Sequence, residues 1–441
     1  MGNLGRRFSG NPERLLLSCF YMEFSRFDRV PNRYEGAIIQ RIKDFRQEVG
    51  KRSLRSTRLP VGDLEFLIPR HFGFCYGVER AIHMAFSALE ENPGRPIHLV
   101  SEIIHNPLVN NDLKERGIGF LFDSNGERRI PPEEIGADDL VMIPAFGTTL
   151  EVEESLKQAG LDTDSEEYRE RYDTTCPFVS RVWERGQELG QEGYTIVIHG
   201  KFRHEETQAT HSHTKRHTKT LVVLDRREAT RVAAFIDGAV SEEEFSAEFS
   251  GKWSQGFDPR TDLTRIAVVN QTTMLAEETK KVVGIIRDAM LRKYGADNFD
   301  HHFADTNDTL CYATNRNQNA TRGLLDARPD VAVIVGGYNS SNTSHLVEIC
   351  SRIMPSYLIG GREELLSRER IRHFDTRTKQ LTISDNWLPD KVPATIAVTS
   401  GASCPDVLMN GVLERLAGFY GYGQPEIEEG LERLSLYEPA A

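Results

Sequence analysis

The chain is expected to fold as an α/β protein of three small units with mostly parallel sheets, arranged as a trefoil around one central site. Three observations predict this. From Leu64 onward, short apolar runs of strand length alternate with amphipathic helical stretches, the pattern of parallel sheets covered on both faces. A chain of 441 residues with 39% hydrophobic content exceeds what one core absorbs. Cys75, Cys176 and Cys311 stand in equivalent places, each at or just before the first turn of a helix near the start of a unit, at domain-sized spacings of 101 and 135 residues. Three such units bring their leading loops to one centre.

Residues 1–63 read as an N-terminal extension, mildly basic at its start, with a short apolar run at Leu15–Phe20 and no clear cleavage site. The first unit, 64–171, opens with the strand LEFLIPR and the turn HFGFCYGV. A helix follows from Val78 to about Leu89, with Val78, Ile82, Ala85, Phe86 and Leu89 on one face. PIHLVSEI is a strand, VNNDLKERG a helix closed by Gly117, LVMIP a strand, and Glu151–Gln158 a helix closed by Gly160.

The second unit, 172–307, begins with DTTCPFVSRVWERGQELG, where Pro177 suits a first helical turn and places Cys176 at the N-cap. Strands follow at YTIVIHG, TLVVLD and RIAVVNQ, then a helix from Leu275 to about Leu291. The acidic stretch 237–259 reads as a surface loop with one short helix. The third unit, 308–402, carries NDTLCYATNRNQNATRGLL as a loop and helix, VAVIVGG as a strand, NSSNTSHLVEICSRI as a loop and helix, and SYLIG and TIAVTSG as strands. Residues 403–441 supply a C-terminal helix and tail.

Several function classes are disfavoured. Sixty-six acidic against 54 basic residues, with Lys and Arg scattered, argue against nucleic acid. The longest apolar runs fall far short of the roughly 20 residues of a membrane-spanning helix. Six cysteines in this length do not make a disulfide scaffold and are expected to stay reduced. Gly336-Gly337 lacks dinucleotide spacing, Gly200-Lys201 lacks the rest of a Walker loop, and HEETQ lacks the second histidine of a zinc hydrolase. HSHTKRH reads as solvated surface. Cys19 and Cys350 read as inert, and Cys404 precedes a proline with no second thiol nearby in sequence.

Three converging thiols are compatible with zinc, with an iron–sulfur cluster or with plain packing. Helix-start amides favour the thiolate that a metal requires. Polar residues gather around them: His105-Asn106-Pro107, IHGKFRHEETQAT with His199, His204, Glu205, Glu206 and Thr207, NQTTM, GGYNSSNTSH and SGASCP with Ser403. Hydroxyls, amides and imidazoles at strand ends beside helix N-termini make a cradle for phosphate oxygens.

GFCYGVERA, IIHNPLV, DTTCPFVSRVW, IHGKFRHEETQAT, NQTTM, DTLCYATNRNQNA, GGYNSSNTSHL and SGASCPD, in this order from about Leu64 to Tyr420, resemble the 4-hydroxy-3-methylbut-2-enyl diphosphate reductase (LytB/IspH) family, in its plant and cyanobacterial branch. The resemblance implies a 4Fe-4S cluster on Cys75, Cys176 and Cys311 with one open iron, and a central iron–sulfur site for the trefoil. It implies diphosphate contacts from His105, His204, Ser340, Asn342 and Ser403, with Ser341 supporting the pocket. Glu206 and Thr272 match the proton-delivery positions, with His204 beside them. The implied reaction is two-electron reductive dehydroxylation to isopentenyl and dimethylallyl diphosphate, the last step of the methylerythritol phosphate pathway, with ferredoxin or flavodoxin as external donor. One departure is visible: many bacterial members carry a histidine where this chain has Phe146, and His199 or Lys201 is the expected substitute. A cytoplasmic enzyme is expected, with the plastid stroma as the alternative compartment. The competing readings are a zinc-dependent hydrolase or lyase, and a non-catalytic iron–sulfur redox sensor that binds a phosphometabolite.

Overall fold

The computed structural model describes residues 31–49, 55–123, 126–131, 134–136, 138–304, 306 and 309–438. Cys19 lies outside the described residues, as does the Leu15–Phe20 run. Among the described residues, fifteen strands form three sheets. In chain order they are β1 (Thr57–Val61) and β2 (Leu64–Ile68); β3 (Ile97–Leu99), β4 (Gly119–Phe120) and β5 (Leu140–Met142); β6 (Thr195–His199), β7 (Thr220–Val223), β8 (Ile266–Asn270) and β9 (Phe303–Ala304); and β10 (Val331–Val335), β11 (Ser356–Ile359), β12 (Arg370–Asp375), β13 (Gln380–Asp385), β14 (Ala394–Ser400) and β15 (Ser435–Leu436).

Two sheets are wholly parallel, in the orders β4-β3-β5 and β7-β6-β8-β9. The third has eight strands, β13-β12-β11-β10-β14-β2-β1-β15, with a parallel centre from β11 to β2 and antiparallel edges. Every residue of β6, β8 and β10 is buried, because helices cover both faces and an unbroken apolar run is what such a strand requires. The mixed α/β class with mostly parallel sheets is thus the observed one.

The strand Leu64–Ile68, read from sequence at the head of the first unit, pairs instead with β14, Leu64 opposite Ala394, in the sheet that completes the third unit. An apolar strand is equally content in any buried parallel sheet, so its own sequence carries no address. From the segment before residue 64, β1 joins that sheet's edge, and the tail returns β15 to pair with β1. Helix Ala37–Glu48 buries Ile38, Ile39 and Ile42 in the same core, and the Ile38 amide donates to Asn410 Oδ1 at 2.8 Å.

The acidic stretch 237–259 does contain one short helix, Glu242–Phe249, started by a Ser241/Glu244 capping box. It is more than surface: Phe245 and Phe249 are fully buried, and Trp253 stacks on Phe257 at 5.4 Å. Phe245→Ala is therefore expected to cost about 3–5 kcal/mol, measurable by urea unfolding; a change within about 0.5 kcal/mol, the surface norm, contradicts this packing.

HSHTKRH is not solvated surface. It continues the helix Glu205–Lys215, in which His211 is buried and its Nδ1 lies 2.9 Å from Thr220 Oγ1, while the His213 ring stacks on Trp183 at 3.8 Å. Only the end of the run, Lys215, Arg216 and His217, is exposed. The small residues between the histidines let this polar helix pack against its neighbour, so polarity alone misplaced it. Among the described residues no helix is long and apolar enough to cross a membrane.

Candidate active site

The three cysteines occupy the same position in three helices. Cys75 is the N-cap of Tyr76–Glu91, Cys176 of Pro177–Gln191 and Cys311 of Tyr312–Leu325, each with extended backbone. Each cysteine amide donates to the loop that follows a parallel strand: Cys75 to Ala402 O at 3.1 Å beyond β14, Cys176 to Ala145 O at 3.0 Å beyond β5, and Cys311 to Thr272 O at 3.1 Å beyond β8. This repeated joint aims three helix N-termini, and three sulfurs, into one space.

The sulfurs are close enough to act on one another electrostatically. Burial, then the neighbouring Cys311, pushes the Cys75 thiol up to about 12; burial followed by Cys75 and Cys311 pushes Cys176 up as well; and burial raises Cys311. First-turn amides oppose this: Gly77 and Val78 at Cys75, Phe178 at Cys176, Ala313 and Thr314 at Cys311. Three thiols that repel as thiolates yet face aligned amide donors are a ligand set that ionises around a cationic guest. The approach is tight, since a Cβ on Gly77 would lie 2.6 Å from Cys176 Sγ. All three cysteines remain free thiols that are partly accessible, whereas Cys350 and Cys404 are buried in apolar cores. Among the described residues, no three His, Cys, Asp or Glu side chains stand close enough to hold a single metal ion.

Glu206 lies in the first turn of Glu205–Lys215, 2% exposed, and Oε1 accepts the Thr272 amide at 2.5 Å. Thr272 therefore grips Glu206 with its N–H and Cys311 with its C=O. Burial raises the Glu206 carboxyl to about 7, against the lowering effect of the Thr272 bonds and of His105. Its charge is felt at both Cys176 and Cys311, which puts the carboxyl on the sulfur-lined space.

His204 caps the same helix. Its Nδ1 accepts the Glu206 amide at 3.2 Å, so the neutral ring carries its proton on Nε2, 3.3 Å from His105 Nε2. His105 then keeps its own proton on Nδ1, an atom with no hydrogen-bond partner, 3.6 Å from Glu102 Oε2. Burial, then His105 and Lys201, holds His204 well below the usual histidine range. Phe146 stacks on His105 at 4.0 Å and meets the His204 ring edge-on at 6.0 Å. In the place where relatives were expected to carry an imidazole, this chain has an apolar wall that fixes two others.

Ser340 caps Ser341–Cys350 by accepting the Thr343 amide at 3.2 Å. Ser341 Oγ accepts from Lys201 Nζ and from Gln271 Nε2, both at 3.1 Å. Asn342 Oδ1 accepts the Ala402 amide at 3.0 Å, while its buried Nδ2 has no partner. Ser403 Oγ donates to His105 O at 3.2 Å. The Gly336-Gly337 turn presses on the same loop, where a Cβ on Gly337 would lie 2.1 Å from His105 O. His105, His204, Glu206, Thr272, Ser340, Ser341, Asn342 and Ser403 thus belong to one connected network, against which the three cysteines dock.

Of the two candidates to replace the imidazole at Phe146, the structure separates one from the other. His199 is fully buried in β6, with Nδ1 3.1 Å from Thr279 Oγ1, away from the cradle. Lys201 is in it, in no ion pair among the described residues, and burial lowers its pKa. Gln271, named in sequence only as part of NQTTM, is the hub: Oε1 accepts from the Lys201 amide and Thr207 Oγ1, both at 3.1 Å, and Nε2 donates to Thr273 Oγ1 at 2.8 Å as well as to Ser341. Its signal is a glutamine just past a fully buried strand, where a buried amide must bond fully.

Residues 67–417 match the LytB protein family. The chain is 38% identical over 400 residues to the 4-hydroxy-3-methylbut-2-enyl diphosphate reductase of Gloeobacter violaceus, covering 90% of each chain. It is 38% identical to the enzyme of that name from Microcystis aeruginosa, covering 89% and 91%. The solved E-1-hydroxy-2-methyl-but-2-enyl-4-diphosphate reductase of Plasmodium falciparum shares the fold at 22% identity and a TM-score of 0.57, over 83% of this chain and 92% of that one. By the family match and by the share of the chain these relatives cover, the protein belongs to the LytB family.

Proposed function

We propose that this protein is a 4-hydroxy-3-methylbut-2-enyl diphosphate reductase, an iron–sulfur oxidoreductase of isoprenoid biosynthesis. The substrate's hydroxyl leaves as water while two electrons and two protons enter, giving isopentenyl or dimethylallyl diphosphate. The observation that carries this reading is the double grip of Thr272, which sets a buried carboxyl, Glu206, beside the space that Cys311 and its two partner thiols enclose. The family named above, and relatives covering about 90% of the chain, support it.

A 4Fe-4S cluster on Cys75, Cys176 and Cys311, with one iron left without a protein ligand, supplies electrons and a Lewis-acidic position when bound. The protein's own residues do the rest. Lys201 gives the half-buried positive charge for the diphosphate, and the unpartnered Asn342 Nδ2 is a donor available to its oxygens, with His105 lining the same region. His204, fixed as the Nε2–H tautomer, donates to His105 Nε2 and so holds that ring against the same region. Ser340, Ser341 and Ser403 line it. Holding one end of the substrate fixes where its carbon chain lies. Glu206 is half protonated near neutrality, and the bound diphosphate raises its pKa further, so it holds a proton for the allyl fragment; Thr272 orients that carboxyl.

A non-catalytic sensor has no use for a buried carboxyl poised near pH 7. The free state of the described cysteines suits a reducing, cytoplasm-like compartment.

Anaerobically prepared protein with reduced methyl viologen is expected to consume 4-hydroxy-3-methylbut-2-enyl diphosphate and yield both products. Cofactor-replete protein that leaves this substrate untouched sinks the reading. Lys201→Met is expected to raise KM roughly 30-fold or more, about 2 kcal/mol or more for a buried charge pair, with kcat little changed. An unaltered KM removes Lys201 from the cradle.

A further inference from the structure

Tyr312 follows Cys311 directly and Phe178 follows Cys176 by two residues, and their rings meet at 5.0 Å. Both rings are half-exposed and each belongs to a helix that begins at one of these cysteines, so the pair forms a cover between that part of the site and solvent.

That cover is ringed by arginines. The Arg316 guanidinium lies over the Tyr312 ring at 5.0 Å, and Arg316 is exposed. Arg70 shares a field with Arg316, and both, with Arg46, act on His71, whose pKa burial lowers first. Arg181 is exposed one turn beyond Phe178 on the same helix. Arg70, Arg181 and Arg316 are in no ion pair among the described residues, in a chain whose formal charge is -12.

We propose that Tyr312, Phe178 and the unpaired arginines 70, 181 and 316 form the docking face for a small acidic protein that carries electrons one at a time. The inference rests on the reductase reading, which requires electrons from outside the chain. Each docking passes one electron to the enzyme and leaves the carrier oxidised by one. Two dockings and two protons balance the loss of hydroxyl as water. Aromatic residues flanked by arginine are the composition of interface centres, and a local positive patch on an acidic protein steers an acidic partner toward the half-exposed rings beside the cysteines. Electron-transfer contacts are small, so this area suffices.

The test uses holoenzyme, an acidic plant-type ferredoxin, and the double variant Arg70→Glu, Arg316→Glu. The variant is expected to bind ferredoxin about tenfold or more weakly by calorimetric titration, to lose the salt dependence of binding, and to turn over about tenfold or more slowly with reduced ferredoxin. With reduced methyl viologen it should match the parent. Lys280→Glu, an exposed cation on the helix Ala276–Tyr294, should change neither. Parental ferredoxin affinity and turnover in a variant with full iron and sulfide content overturns the proposal, as does an equal loss in Lys280→Glu. Should the double variant lose its cofactor, Arg181→Glu carries the same comparison. Parent enzyme inert with viologen refutes the reductase reading instead, and the titration still decides the docking face.

Discussion

Cys75→Ser, Cys176→Ser and Cys311→Ser are each expected to retain roughly a tenth or less of the iron and acid-labile sulfide of the parent, with turnover lost in step. The reason lies in the shared geometry. All three sulfurs sit at helix N-caps, and all three cysteine amides are tied to loops at strand ends, so each ligand is held by a different unit and none can stand in for another. Serine keeps the cap, and so the helix, but offers a hard oxygen that does not ionise near neutrality, in place of a soft thiolate. Cys404→Ser separates ligand loss from general damage: it removes a thiol buried in the core of the eight-stranded sheet and should lower stability while sparing iron. Full iron and sulfide in all three N-cap variants refutes the ligand assignment.

Glu206→Gln is expected to keep its cofactor and lose about 100- to 10,000-fold in turnover. The amide fits the same space and its Oε1 can still accept the Thr272 N–H, so Cys311 keeps its support. What it lacks is the acidic proton. The pH profile distinguishes this from a structural effect. Burial places the Glu206 carboxyl at about 7, so its protonated, donating fraction is nearly complete below that value and falls about tenfold per unit above it. Parent turnover should therefore decline as pH rises through about 7, with bound substrate shifting the limb upward, and the residual activity of the Gln variant should lack that limb. A variant with near-parental rate, or one with the same alkaline limb, removes Glu206 from proton delivery.

The parts of the site legible in the sequence were those in which local chemistry and position coincide. A cysteine followed by Pro177 announces a helix N-cap, and a Ser340 start followed by Asn342 announces another. Alternating strands and helices gave the class and nearly every central strand. The connectivity of long-range pairing was not legible. Nothing in LEFLI says that it lies beside β14 rather than β3, because a buried parallel strand is apolar on both faces in either place. The hairpin β12–β13 escaped for the opposite reason: its outer strand is almost wholly exposed, so it shows no buried alternation, and its turn uses Lys379 at φ 56 where a glycine would have signalled it.

Two residues of the site show what resemblance alone leaves out. Phe146 read as a missing ligand, yet its ring packs the two imidazoles at its side into place. Lys201 and His199 were equivalent candidates in the text, two residues apart. The end of β6 divides them: His199 points into the sheet's covering helix, and Lys201 lies beyond the strand, in the loop that reaches Ser341. A shift of two positions at a strand end is the difference between core and cradle.

The central claim is that three distant thiols enclose an iron–sulfur cluster beside a protonated carboxyl. Its most direct measurement is the metal and acid-labile sulfide content of protein purified without oxygen. The expected result is about four iron and four sulfide per chain. One zinc per chain with no sulfide, in protein that is folded and fully reduced, contradicts it.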